Sequence, residues 1–318
     1  MPIVKQALFV FTLLLAASFA VTLPTQAAER FKPFVLAWRG NADFTTRLNE
    51  VHESLEAAGF QVVADVAPYP KDGYVDELRI LVFTSPELKR AAARSEHGGF
   101  AAAQRVAITR SGDDIQVTYV NPVYMAHAYR LKGDLSDTAA LLARTLGKLE
   151  TFGSRKGLSK RQLRRYHYTF GMEYFDDPYR LAEYASYADA IRQVEKHLAT
   201  NTVGVRPVYR IDIPGKEETV IGVTRHGQGE RGEKYDDYWI MDNVDFGELH
   251  TTAYLPYEIM ITGKRVIGLH MRFRMAVHHP DLKMMGKNSF MNIMPSPGAV
   301  RDVMTVAVGG KRQENNGG

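Results

Sequence analysis

Cysteine is absent from all 318 residues. Disulfides, thiolate metal sites and cysteine nucleophiles are thereby excluded. No Cys-x-x-Cys-His exists to attach haem covalently. The chain also lacks Gly-x-Ser-x-Gly, a Gly-rich phosphate loop ahead of a helix, and His-Glu-x-x-His. Serine hydrolase, nucleotide-binding and zinc peptidase readings are left without their usual marks. Long apolar runs are missing too: past residue 28 none approaches the ~20 residues of a membrane-spanning helix. A strong charge imbalance is lacking as well: 40 Lys and Arg stand against 36 Asp and Glu, and a formal net charge of +4 gives no pointer to nucleic acid.

The first 28 residues are the most ordered pattern in the sequence. Lys5 makes a basic start, Ala7–Ala17 runs almost wholly apolar, Pro24 breaks it, and Thr25-Gln26-Ala27-Ala28 supplies small residues. That order predicts a secretory signal peptide over 1–28, cleaved near Ala27 or Ala28, and a periplasmic or secreted protein. Removing Lys5 with it takes the charge from +4 to +3. About 290 remaining residues, 45% hydrophobic and 24% charged overall, suit two ordinary globular domains.

A self-similarity links the halves. Phe44, Leu48, Val51 and Leu55 share a spacing with Tyr187, Ile191, Val194 and Leu198, the stripe of an amphipathic helix. Gly59 ends the first helix. Strand-like runs follow at 61–64 and 79–84 in one half and at 207–211 and 219–224 in the other. Hairpins turn at Ser111–Asp114 and at Gly263-Lys264. The return strands, the second drawn from Val266 to Phe273, align Val117, Tyr119, Val123 and Met125 with Ile267, Leu269, Phe273 and Met275. Closing helices are expected at 135–149 and 299–304. The pattern predicts an α+β protein: two tandem two-layer α/β domains with mostly antiparallel sheets, pseudo-duplicated, at 29–150 and 181–306. A basic and aromatic segment, 151–180, joins them and packs between them, and 307–318 is a disordered tail.

The first half resembles the domain of unknown function numbered 302, a two-layer α/β domain. The elements that carry the resemblance are Ala58-Gly59-Phe60-Gln61-Val62-Val63, Ile80-Leu81-Val82-Phe83-Thr84-Ser85-Pro86-Glu87-Leu88 and the hairpin ending in Asn121-Pro122. The second half joins it only through the repeat, with Thr224-Arg225-His226 where the first has Thr84-Ser85-Pro86. The resemblance implies a fold and no catalytic residues.

Several constellations invite chemistry. Arg225-His226-Gly227 after a strand is similar to the histidine phosphatase signature, with His226 as nucleophile and Arg225 on the phosphate. That family's motif opens a large α/β body, whereas only about 90 residues follow here, so a surface loop is the plainer reading. Methionines and histidines crowd the C-terminal third, among them Met241, Met260, Met271, Met275, Met284, Met285, Met291, Met294, Met304, His250, His270, His278 and His279. Thioether and imidazole suit copper or haem; core packing is the plainer reading, with Met271 and Met275 facing inward from a strand. His278 and His279 are expected just past a strand end. Asp236, Asp237, Asp242, Asp245 and Glu248 read as a solvated acidic loop around Tyr238-Trp239. Arg155, Lys156, Lys160, Arg161, Arg164 and Arg165 form a basic run, most simply a solvated helix face, which outside the cytoplasm also suits anionic headgroups or an acidic partner.

These features favour an exported, soluble, non-enzymatic protein that binds a small ligand or an envelope partner between its repeats, where concave sites collect. Tyr124, Met125, His127, Arg274, Met275 and His278 are the expected lining. A phosphohydrolase using His226 and Arg225, and copper or haem handling, are the alternatives.

Overall fold

A computed structural model describes residues 28–69, 73–200 and 202–312. The expected leader, all but Ala28, and Gln313–Gly318 of the tail lie outside the described residues. In chain order the elements are β1 (Arg30–Phe31), β2 (Phe34–Gly40), α1 (Phe44–Ala57), β3 (Gln61–Val66), β4 (Glu77–Thr84), α2 (Pro86–Ala93), β5 (Gln104–Ser111), β6 (Asp114–Val120), α3 (Pro122–Ala128), α4 (Ser136–Leu146) and β7 (Glu150–Phe152). Then follow β8 (Leu158–Ser159), α5 (Lys160–Arg164), β9 (Tyr179–Glu183), α6 (Tyr187–Thr200), β10 (Val205–Asp212), β11 (Glu218–Arg225), α7 (Gly229–Gly232), α8 (Asp237–Asp242), β12 (Tyr257–Thr262), β13 (Arg265–Gly268), α9 (Met271–His278) and α10 (Ser296–Ala307). The fold is α+β. No described helix is long and apolar enough to cross a membrane.

Two sheets carry the core, both wholly antiparallel. One has six strands in the order β3-β4-β5-β6-β2-β7, the other five in the order β10-β11-β12-β13-β9. Helix α1 and α4 cover one face of the first sheet; α6 and α10 cover one face of the second. Local chemistry explains the helices. Asp43 caps α1 by accepting from Thr46 N at 2.7 Å, and Gly59 takes φ +85° to end it. Phe44, Val51 and Leu55 in α1, like Val194 and Leu198 in α6, are the buried stripe residues.

The remaining sheet faces meet each other, and each lends the other a wedge. The 3-10 turn Gly98–Ala101 of the first unit sits on β11 and β12, while the 3-10 turn Thr252–Tyr254 of the second sits on β4, β5 and β6. Gly99 must be glycine for this fit, since a Cβ there would stand 2.8 Å from Met260 Sδ and 2.9 Å from Val220 Cγ2. Thr109 and Thr252 hydroxyls bond across the seam at 2.9 Å, and Arg105 on β5 pairs with Glu258 on β12, both buried. Tyr209 donates to the same carboxylate at 2.8 Å.

Two segments expected as strand ends are helices. Val123, Met125 and His127 lie on α3; Met271, Phe273, Met275 and His278 lie on α9. Asn121 caps α3, with Pro122 in its first turn, and His270 caps α9. The acidic loop departs from expectation as well: Asp237 and Asp245 are buried and hydrogen-bonded.

Candidate functional site: a basic cleft at the joint

The 151–180 segment is built into the fold. Phe175 stacks on Tyr129 at 5.3 Å, and Tyr166 donates to Ala276 O at 2.9 Å, so it touches both units. Its β8 pairs with β1, which fixes Phe31 beside Leu158 and Ser159. Ser159 and Gln162 form a capping box that opens α5. Leu163 buries itself, which leaves Lys160, Arg161 and Arg165 exposed on the short helix and just beyond it. Arg164 turns inward and donates to Leu131 O at 2.9 Å and Arg130 O at 3.3 Å, closing the loop after α3. Asp134 holds the next turn by accepting from Ser136 N at 3.0 Å and Oγ at 2.8 Å.

These elements enclose a cleft of about 1000 Å³, lined by Phe31, Val123, His127, Ser136, Ser159, Lys160, Arg161, Arg164 and Arg165 together with Glu29 and Asp134. An adjoining hollow of about 430 Å³ shares His127, Asp134, Lys160 and Arg164. Phe31 and Val123 give it apolar walls, and the cations cluster on one side. The His127 ring packs edge-on to Phe31 at 5.5 Å. Burial lowers the pKa of His127, and the nearby Lys160 and Arg164 charges lower it further. A neutral imidazole therefore sits beside the cations, its Nδ1 buried without a partner. The Asp134 carboxyl is also lowered, chiefly by the Ser136 N–H. Such a cleft can hold an anionic group against the cations and an apolar body against the walls.

Of the six residues expected to line a groove between repeats, His127 alone borders this cleft. Tyr124, Met125, Arg274, Met275 and His278 are closed inside the seam. Tyr124 donates to Val277 O at 2.7 Å. Arg274 donates to Tyr254 O at 2.5 Å and Pro256 O at 2.8 Å, with its guanidinium carbon 4.1 Å above the Tyr254 ring. Burial, then the Arg274 charge, depresses His278 well below the usual histidine range. Tyr124, through Val277 O, and His278, against the Phe34 ring, join the two units, and none of the five presents an open surface.

His226 is exposed beside a hollow of about 580 Å³. Arg225 is not with it. Its N, Nε and Nη2 all donate to Asp237, at 2.8, 2.9 and 2.6 Å, and the guanidinium lies fully buried against Tyr257. An arginine committed in this way cannot clasp a phosphate beside His226. The methionines divide: Met241, Met260, Met271, Met275 and Met304 are core, whereas Met285, Met291 and Met294 are exposed. Among the described residues no three His, Asp or Glu side chains converge as metal ligands.

One arrangement went unforeseen. Ser111 Oγ lies 3.1 Å from His250 Nε2, and His250 Nδ1 lies 3.2 Å from Asp245 Oδ2. Asp245 also accepts from Thr251 N at 2.8 Å and Tyr74 OH at 2.7 Å. The connectivity is that of nucleophile, base and orienting acid. However, the N–H that follows Ser111, on Gly112, is taken by Asp76 at 2.6 Å. The N–H beside the serine is thus engaged by a carboxylate, and the Ser111–His250–Asp245 network joins the two units. Ser111 and His250 are 139 residues apart, so only the packing of the units brings them together.

No protein-family model, no curated protein and no solved structure matches this chain.

Proposed function

We propose that this is an exported, non-enzymatic binding protein that takes up an amphipathic anion, an acyl chain bearing a carboxylate or phosphate, in the cleft at its joint. The observation that carries the reading is the meeting of Lys160, Arg161, Arg164 and Arg165 with the apolar walls of Phe31 and Val123 around the neutral His127. The cations supply long-range attraction and hydrogen bonds to the anion. The walls supply affinity in proportion to the chain they cover, about 0.8 kcal/mol per buried methylene. Export is supported by the basic, apolar and small-residue order of Met1–Ala28. Descent from a duplicated unit is supported by the matching order of five strands in the two sheets, β3-β4-β5-β6-β2 and β10-β11-β12-β13-β9.

Calorimetric titration with dodecyl phosphate below its micelle concentration tests the proposal. The expected result is saturable one-to-one binding, weaker for hexyl phosphate. Lys160→Glu with Arg161→Glu should cut affinity at least tenfold. Absence of saturable binding, or equal affinity in the double variant, would refute it.

A further inference from the structure

A second surface, distinct from the cleft, combines large exposed apolar side chains with unpaired cations. Phe170 is 98% exposed, Met285 71%, Met294 54% and Met291 44%. Scattered apolar residues on a surface need no explanation, but these are gathered. Tyr168, two residues before Phe170, donates to Leu282 O at 2.9 Å, and its ring lies 6.3 Å from that of Phe290. The Phe170 loop is therefore fastened to the methionine segment. Within that segment Met291 N donates to Met284 O at 3.1 Å, which sets residues 284–285 beside 290–291. Met291 and Met294 stand three apart on the 3-10 turn Phe290–Ile293 and its cap, and at that spacing side chains eclipse.

The rim of this patch is basic. Lys283 and Lys287 flank Met285, and both are exposed. Arg155 reaches the segment through Asp281, which accepts its backbone N–H at 2.5 Å and lies 3.5 Å from its Nε, and exposed Lys156 follows it. Asp281 is thereby offset. Among the described residues no carboxylate pairs with Lys156, Lys283 or Lys287, and the neighbouring Glu173 is engaged by Arg272 and His270.

We infer that this face docks on an anionic lipid bilayer. Phe170 and the three methionines enter the boundary between headgroups and acyl chains, and Lys156, Lys283 and Lys287 rest among the phosphates. The pairing is the one that peripheral attachment needs: apolar insertion, and electrostatic attraction that no single group provides. Methionine suits the apolar part because its unbranched thioether adapts to a disordered medium. The sequence singled out only the cations of the joint as candidates for a membrane. The fold adds the apolar half of the surface, joining Phe170 to three methionines more than 110 positions further along the chain.

Co-sedimentation with vesicles tests this. The full chain and its variants carry identical N-termini, and partition is read as the excess on anionic over phosphatidylcholine vesicles, so any pull of the Ala7–Ala17 segment is common to every arm. Vesicles of about 30% phosphatidylglycerol in phosphatidylcholine should bring down the protein, with binding weakened as salt shortens the screening length; phosphatidylcholine alone should leave most of it in solution. Lys283→Glu with Lys287→Glu should lower partition about 30-fold or more, as about 1 kcal/mol per basic residue implies. Phe170→Asp with Met285→Asp should abolish partition and leave dodecyl phosphate binding in the cleft unchanged, which keeps the two proposals separable. Failure to bind anionic vesicles, equal binding in either double variant, or a wild-type dimer that Phe170→Asp with Met285→Asp dissolves would overturn the inference.

Discussion

Mild acid should unfold this protein through a histidine that the fold refuses to charge. His279 is buried at the end of α9, with Nε2 2.9 Å from Thr251 Oγ1 and Nδ1 3.3 Å from Met275 O. Burial pushes it down to about 4, against about 6.5 in the unfolded chain. The unfolded state therefore takes up a proton first as pH falls. Stability is fully present above about 6.5 and drains away as pH drops toward 4. At pH 4.5 the loss from this one group is roughly 2.5 kcal/mol. His278, lowered by burial and by Arg274, adds to the loss in the same direction. Urea unfolding at pH 7 and pH 4.5 measures the total. His279→Gln should be less stable at pH 7, yet its drop between the two pH values should shrink by about the same ~2.5 kcal/mol. An NMR titration of His279 with a midpoint near 6.5, or an undiminished drop in the variant, would refute the reasoning.

Two further outcomes follow from the seam. Arg105→Met leaves the Glu258 carboxylate buried without its partner and should cost about 3–5 kcal/mol in denaturant unfolding, whereas Arg105→Met with Glu258→Leu should recover most of it. Gly99→Ala drives a methyl into Val220 and Met260 and should cost about 1–3 kcal/mol. In hydrogen exchange the loosened amides should include those of β11 and β12, in the unit that was not mutated.

What the sequence disclosed depended on how each element is buried. Helix α1 and α6 have one wet and one dry face, so Val51, Leu55, Val194 and Leu198 stood out as stripes. The two hairpins announced themselves through Gly112 and Gly263. Helix α9 is buried almost all round, Arg274 and His278 included. A helix without a polar face has no period to read, and its alternating Met and Arg passed for a strand. The same holds for α3, where Asn121-Pro122 follows a strand and resembles the close of a hairpin, although an Asn cap and Pro in the first turn are a helix start. In the cleft, the cations and His127 were each visible as residues. Their meeting was not, because it depends on the β1–β8 pair and on Arg164 reaching back to Leu131 O. Asp237 and Asp245 looked solvated because carboxylates seldom go inside unless paired; Arg225 and His250 are the partners that let them.

The exchanged wedges carry a consequence for heredity. With Gly98–Ala101 lodged in one sheet and Thr252–Tyr254 in the other, neither half is a module that can be lifted out, swapped or inserted elsewhere. Either half made without the other would lose the cover of its inner surface and leave Arg105 or Glu258 without its partner. A substitution on either surface therefore sets the terms for what the opposite one can accept.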